Sequence, residues 1–146
     1  MKAMDIKIKK ISDSQASKFS KKIWKEFYNS VGVDGNSLKS TKFFIYYNDQ
    51  ITGLINIWIE GHVALLDEFI LKPKFRGKGK ALDLLKFVKE FAIKNKCRKL
   101  NLKTCPDLMP AAYHLYKKFG FKDQVTLVKD CFNKDWKILS MDLDVK

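Results

Sequence analysis

The residues best suited to chemistry form a basic, glycine-rich stretch near the middle of the 146-residue chain. The stretch reads Arg76-Gly77-Lys78-Gly79-Lys80-Ala81. An apolar, strand-like pattern ends just before it at Leu71, and an amphipathic helical pattern begins at Ala81. Glycines let a backbone approach a ligand closely, and the free N–H groups of a first helical turn attract anions. The stretch therefore predicts a phosphate-binding turn, to which three basic side chains add positive charge.

Two common phosphate motifs do not fit this turn. No Gly-Lys-Ser/Thr sequence closes it, which excludes the Walker pattern. The run Gly77-Lys78-Gly79 lacks the third glycine of the dinucleotide-binding fingerprint. The pattern that does fit is Arg-x-x-Gly-x-Gly/Ala, formed by Arg76, Gly79 and Ala81. Taken alone, the turn also suits a phosphate-binding domain of another fold.

Composition and charge narrow the classes of protein and of partner. The length predicts one domain, residues 1–146, and no apolar run approaches the roughly 20 residues of a membrane span. The net charge is +13, but only Arg76 and Arg98 are arginines. Reading of DNA bases favours arginine, so nucleic acid is disfavoured as a partner and most lysines are predicted to form a solvated surface.

Cysteine and histidine are too sparse to build a metal site or a disulfide framework. Three cysteines, Cys97, Cys105 and Cys131, are widely spaced and odd in number, and the chain has only His62 and His114. This usage is typical of a reducing compartment, so a cytoplasmic location is expected. No metal is expected.

Hydrophobic periodicity predicts the elements that position the turn, in an α/β order. The predicted strands cover residues 5–11, 42–47, 51–60, 63–71, 99–104, 121–132 and 136–145. The predicted helices cover residues 14–29, 81–95 and 111–119, with caps at Ser12 or Asp13 and at Asp107. Residues 31–41 are predicted to form a loop that could contain a short helical turn at 37–40. The strands at 63–71 and 99–104 flank a helix and are predicted to run parallel.

A second motif agrees with the first in placement. The last predicted helix carries Ala112-x-x-x-Tyr116, and Gly120-Phe121 follows as the next strand opens. Together, the two motifs and the order of elements resemble the GNAT family of N-acetyltransferases over nearly the whole chain. Met109 departs from the pattern, because the family often has Asn there. The resemblance implies the GNAT fold, a mixed central sheet of about seven strands flanked by about four helices.

The resemblance also implies acetyl-CoA as cofactor. Its pyrophosphate would lie on the turn, and its pantetheine arm would pair with the strand before the turn, where two strands splay apart. An amide of Ile70 or Leu71 would polarise the thioester carbonyl. The implied cofactor-binding residues are Phe69, Ile70, Leu71, Arg76, Gly77, Lys78, Gly79, Lys80, Ala81, Thr104 and Tyr116.

Catalytic roles follow from the same resemblance and from side-chain chemistry. Tyr116 would act as general acid toward the departing thiolate, for which a phenol with a pKa near 10 is suitable. Glu68 is the candidate general base. Strand alternation places it and Asp67 on opposite faces, so at most one points into the cleft. Glu60 and His62 are reserves, and a chain of waters could also deprotonate the amine.

The expected reaction is transfer of the acetyl group to a primary amine by direct attack in a ternary complex. The acceptor is a small-molecule or peptide amine, with Trp24 and Tyr28 as one wall of its pocket. A charge of +13 mildly disfavours polycationic acceptors. The alternative is a catalytically silent module that binds acyl-CoA or contacts nucleic acid. A monomer or a homodimer is expected.

Overall fold

The computed structural model describes residues 6–33 and 39–144, and the chain forms two compact units, Met1–Asn36 and Ser37–Lys146. The first unit contains helix α1, Asp13–Ser30. As predicted, Ser12 caps it: the Ser12 hydroxyl accepts from the Gln15 N–H at 3.2 Å, and the Gln15 side chain accepts from the Ser12 N–H at 3.0 Å. This reciprocal pair satisfies two N–H groups that a bare helix start leaves open.

The strand predicted at residues 5–11 is wrong over the described residues. Residues 6–12 have no regular structure, and residue 5 lies outside the described part. Alternating isoleucines favour a strand, but they do not supply the neighbouring strand that backbone groups need for pairing. Of the helical turn predicted at 37–40, residues 37–38 lie outside the described part, and Lys39 and Ser40 open a strand.

The second unit is built on a mixed sheet with two α-helices. Its strands are β1 Lys39–Tyr47, β2 Gln50–Glu60, β3 Val63–Leu71, β4 Lys99–Thr104, β5 Lys122–Leu127 and β6 Trp136–Asp142. Its helices are α2 Lys80–Lys94 and α3 Pro110–Phe119, with single 3₁₀ turns at Pro73–Phe75 and Cys131–Asn133. The predicted α/β fold class is confirmed. The described residues form six strands and three α-helices, slightly fewer than expected.

The sheet has the strand order β1-β2-β3-β4-β6-β5. The predicted parallel pairing of β3 with β4 is confirmed, and the other neighbouring pairs are antiparallel. The predicted terminal hairpin is also present, although both strands are shorter than expected. Its second strand, β6, inserts between β4 and β5.

The core fixes α2 on the sheet. Leu85, Val88 and Ala92 follow a helical spacing and are fully buried, and they join a cluster that includes Ile55 and Ile57 of β2. Burial of such a side chain stabilises the fold by about 1.5–3 kcal/mol. Because α2 is held along this face, its first turn is fixed directly after the glycine-rich segment.

Helix α3 begins differently from the prediction. Asp107 is not its cap; the N-cap is Met109, which offers no side-chain hydrogen bond, and Pro110 opens the helix. Proline suits this position because the first helical N–H has no intrahelical partner. The helix ends at Gly120 with φ +120°, as predicted.

Candidate active site

Strands β3 and β4 separate halfway along β3. The ladder pairs Val63 to Leu66 with Lys99 to Leu102 and then stops. On the other side of β3, Asn56 lies opposite Glu68 and Ile57 lies opposite Leu66, so Asp67 is an extra residue. This is a β-bulge, which bends a strand and re-aims its side chains. The bulge coincides with the point where β3 leaves β4.

The separation leaves unpaired groups on both strands. Residues 68–71 have ladder partners on β2 only, so their other edge has no partner strand. Across the gap, Thr104 is 1% exposed, and its hydroxyl oxygen is buried with no hydrogen-bond partner. A buried polar group without a partner costs about 1–3 kcal/mol. The gap therefore leaves the β3 edge open to an extended polar ligand, and the Thr104 hydroxyl is an enclosed polar group without a partner.

The glycine-rich turn joins β3 to α2. Gly77 and Gly79 both have φ +72°, a conformation that other residues adopt at a cost of about 1–2 kcal/mol. The Arg76 Nε donates to the Leu71 carbonyl at 2.8 Å and anchors the turn to the end of β3. Gly79 caps α2 without a side-chain hydrogen bond. The first N–H groups of α2 therefore have no capping side chain and are open to an anion.

A cleft of about 470 Å³ brings most of the predicted cofactor residues together. We call it the transfer cleft. It is lined by Phe69, Leu71, Phe75, Arg76, Gly77, Lys78, Gly79, Lys80, Ala81, Leu82, Ala111, Ala112, His114, Leu115 and Lys118. Its volume is in the range of small-molecule and cofactor sites.

The sequence predicted that α3 contributes to the site through Tyr116, but it did not predict the α3 residues that line this cleft. Its lining residues are Ala111, Ala112, His114, Leu115 and Lys118. The available signal was the helical spacing of His114 and Lys118 together with two small alanines at the helix start. The predicted Ile70, Thr104 and Tyr116 are not among the lining residues. The Ile70 side chain is 48% exposed, whereas Thr104 and Tyr116 are buried.

Tyr116 is a buried tyrosine beside the strand that lines the cleft. Its side chain is 8% exposed, and its ring centroid lies 6.4 Å from that of Phe69 and 5.9 Å from that of Phe121. Burial raises the pKa of the phenol, so the hydroxyl stays protonated at neutral pH. Within residues 6–33 and 39–144, no group hydrogen-bonds to this hydroxyl.

The two candidate carboxylates lie on the same face, contrary to the alternation argument. Asn56 is directly opposite Glu68, and its Nδ2 also donates to Asp67 Oδ2 at 3.3 Å. The bulge interrupts the alternation, which is why both side chains reach this face. Asn56 is in turn held by the Ser40 hydroxyl at 3.2 Å. Asp67 is therefore engaged, whereas Glu68 forms no hydrogen bond or ion pair with any described residue.

Glu60 and His62, the reserve candidates for the general base, lie at the end of β3 that pairs with β4. His62 precedes the strand, and its Nδ1 is 3.2 Å from the Lys96 carbonyl oxygen. Glu68 lies six residues further along, or roughly 20 Å at about 3.3 Å per residue. The structure therefore does not bring His62 or its neighbour Glu60 to the open half of β3.

The aromatic residues predicted to contact the acceptor belong to the first unit. The Trp24 ring stacks on that of Tyr28 with centroids 5.7 Å apart, and Phe27 contacts both rings. Their role toward an acceptor stays a prediction.

Among the described residues, no three His, Cys, Asp or Glu side chains converge to hold a metal. In the same part of the chain, no helix is long and apolar enough to cross a membrane.

Comparisons with known proteins agree with this architecture. An acetyltransferase from Bacillus cereus ATCC 14579 superposes with a TM-score of 0.75 at 15% identity over 94% of this chain and 98% of its own. A protein from Agrobacterium tumefaciens assigned to the acetyltransferases gives 0.77 at 20% identity over 96% and 100%. A dodecameric spermidine N-acetyltransferase from Vibrio cholerae gives 0.65 at 23% identity over 83% and 73%.

Sequence comparison identifies the family more directly than these superpositions. No curated protein matches the sequence. The sequence profile of the Acetyltransferase (GNAT) family, however, matches residues 9–121, which include the glycine-rich turn, Tyr116 and the Gly120-Phe121 pair. The chain belongs to the GNAT family of acetyltransferases.

Proposed function

We propose that this protein is an N-acetyltransferase that transfers the acetyl group of acetyl-CoA to a primary amine, by direct attack in a ternary complex. The observation that carries the proposal is the meeting of the open half of β3 with the uncapped start of α2 in one cleft. The proposal treats residues 1–146 as a single acetyltransferase domain that acts in the cytoplasm.

The proposed hold on acetyl-CoA uses backbone groups more than side chains. The N–H groups that follow Gly79 bind the pyrophosphate, with Lys78 and Lys80 adding positive charge. The free edge of residues 69–71 pairs with the pantetheine arm, and the Thr104 hydroxyl bonds to it from the other strand. Acetyl-CoA bound in this way supplies the acetyl thioester.

Two side chains, Glu68 of β3 and Tyr116 of α3, transfer the protons, and they lie on opposite faces of β3. Glu68 accepts a proton from the amine as its nitrogen bonds to the acetyl carbon. Tyr116, beside Phe69 on the other face, donates its phenolic proton to the sulfur as the carbon–sulfur bond breaks. The amide N–H of Ile70 or Leu71 stabilises charge on the carbonyl oxygen.

The proposed acceptor is a small-molecule or peptide amine that enters on the Glu68 face. The dodecameric neighbour from Vibrio cholerae is named for spermidine, but at 23% identity its substrate does not transfer to this chain. Trp24 and Tyr28 remain the proposed aromatic wall. We propose a monomer or a homodimer, although that same neighbour is dodecameric.

The experiment is acetylation of a panel of amines, comprising polyamines, amino acid amides and short peptides, read by mass spectrometry. Transfer to at least one amine, lost in Tyr116→Phe, supports the proposal. Binding of acetyl-CoA without transfer to any amine would instead favour a silent acyl-CoA-binding module. Duplex DNA binding with a steep salt dependence would favour a nucleic-acid role.

A further inference from the structure

We infer that the second unit carries a separate binding site for a nucleoside phosphate, in a cleft between the β1–β2 turn and the glycine-rich turn. We call it the hairpin cleft. Its inner chamber, about 320 Å³, is lined by Ile45, Tyr46, Tyr47, Thr52, Leu71, Phe75, Lys78, Lys80, Asp83 and Leu84. Its outer chamber, about 330 Å³, is lined by Tyr47, Asn48, Gln50, Lys74, Phe75 and Lys78.

A second β-bulge builds the floor of the hairpin cleft. Ile45 lies opposite Gly53 and Tyr46 lies opposite Ile51, so Thr52 is the extra residue. The buried Thr52 hydroxyl donates to the Ile45 carbonyl at 3.1 Å. The backbone carbonyl oxygen of Thr52 accepts a hydrogen bond from the Lys72 N–H at 2.8 Å. These bonds tie the tip of the hairpin to the start of the turn, so the cleft is formed without a ligand.

Close backbone packing supports the same floor. A Cβ atom added to Gly53 would collide with the Ile70 carbonyl oxygen and crowd the Ile45 side chain. Only glycine allows β2 and β3 to lie this close here. Close contact between β2 and β3 therefore holds the strands beneath the cleft together.

Two aromatic rings give the cleft an open stacking surface. The centroids of Tyr47 and Phe75 lie 6.0 Å apart with an interplanar angle of 57°. Tyr47 is 56% exposed, so its ring is available to a flat ligand. Stacking of a base on such a ring contributes about 1–3 kcal/mol and tolerates any base. This half of the cleft favours an aromatic group of nucleobase type.

The charge in the cleft favours an anion. Lys74, Lys78 and Lys80 face a single carboxylate, Asp83, among the lining residues. In the described part of the chain none of the three lysines forms an ion pair, and Lys74 Nζ lies 5.1 Å above the Phe75 ring. A cation beside a stacking surface suits a base joined to phosphate. The volume of either chamber suits one nucleotide better than a polymer.

The hairpin cleft and the transfer cleft can be tested separately. Tyr47 and Lys74 line only the hairpin cleft, whereas Arg76, His114 and Lys118 line only the transfer cleft. Leu71, Phe75, Lys78 and Lys80 line both. Binding in the hairpin cleft does not require that the protein transfer acetyl groups.

The test is calorimetric titration of the full chain with ADP and with UDP in the absence of CoA, because CoA carries a nucleobase and phosphates of its own and would compete for the cleft. We expect both diphosphates to bind. Tyr47→Leu and Lys74→Gln should each weaken binding at least fivefold, and Lys118→Gln should change it less than twofold. Circular dichroism confirms that each variant is folded.

Three results would overturn the inference. The first is no binding of either nucleotide. The second is inorganic pyrophosphate binding as tightly as ADP and equally well in Tyr47→Leu, which would indicate a lysine surface without base recognition. The third is weakening by Lys118→Gln but not by Lys74→Gln. Failure of the proposed acetyl transfer would affect none of these readouts.

Discussion

The two halves of β3 serve different purposes within one strand. The first half, Val63 to Leu66, pairs on both sides, and Ala64 and Leu66 are buried in the core. The second half, Glu68 to Leu71, pairs on one side only, and its Phe69 and Leu71 line the transfer cleft. One inserted residue, Asp67, separates the halves. The comparison shows how a bulge converts a core strand into an open edge without ending the strand.

The largest expected effect is a difference in the stability lost when a side chain is truncated in each half of β3. Leu66→Ala should lower the free energy of unfolding by about 2–5 kcal/mol, because it leaves a cavity in the core. Ile70→Ala, in the open half, should cost less than about 1 kcal/mol, since its side chain is 48% exposed. Urea unfolding measures both. Equal losses would mean that the two halves are equally structural.

The next effect concerns chemistry at the open half. Tyr116→Phe should lower kcat about 100-fold or more, as expected for loss of a general acid, while the stabilisation by CoA stays unchanged. Tyr113→Phe is the matched control on the same helix, because its hydroxyl bonds to Asp123 at 2.9 Å. If Tyr116→Phe turns over at the wild-type rate, Tyr116 is not the acid.

A glycine pair tests whether the turn binds the cofactor. Gly79 and Gly61 both have positive φ, and nothing lies within 4 Å of the place that a Cβ atom would take on either, but Gly61 lies at the paired end of β3. Replacing either with alanine should cost about 1–2 kcal/mol of stability. Only Gly79→Ala should also weaken CoA binding, several-fold by calorimetry. Equal CoA affinity in the two variants would contradict the anion site at α2.

The smallest effect concerns the support of α3. Burial tends to raise the pKa of Asp123, but hydrogen bonds from Lys137, Tyr113 and Lys117 outweigh it and lower the pKa. Asp123 and these three partners should therefore stabilise the fold above about pH 4, the pKa of Asp in the unfolded chain. This stabilisation is lost as the pH falls through the lowered pKa of Asp123 in the folded protein.

The carboxylate of Asp123 is about one-third exposed, so the contribution should stay below about 1 kcal/mol. Asp123→Asn should remove this part of the pH dependence, as measured by urea unfolding between pH 2 and 7. An unchanged profile would show that the cluster does not hold α3.

The hydrophobic pattern and the turn residues of the sequence predicted the glycine-rich turn and strands β3 and β4 well. The bounds of β3 and β4 match the prediction because each apolar run ends at clear turn residues. The bulge at Asp67 was not predictable, because alternation assumes an unbroken ladder and the bulge arises from pairing with β2. The strand predicted at 5–11 failed for a related reason: periodicity does not show whether a partner strand exists. The α3 wall of the cleft depends on packing, which spacing alone does not specify.

The most direct test of the account is the melting temperature of the protein with and without acetyl-CoA and free CoA. At about 100 times the dissociation constant, a ligand specific for the folded state stabilises it by about 2.7 kcal/mol. For a chain of this size that corresponds to a rise of roughly 8–10 °C. We predict this rise with both compounds and a smaller one in Gly79→Ala. No shift with either compound would contradict the assignment of the transfer cleft.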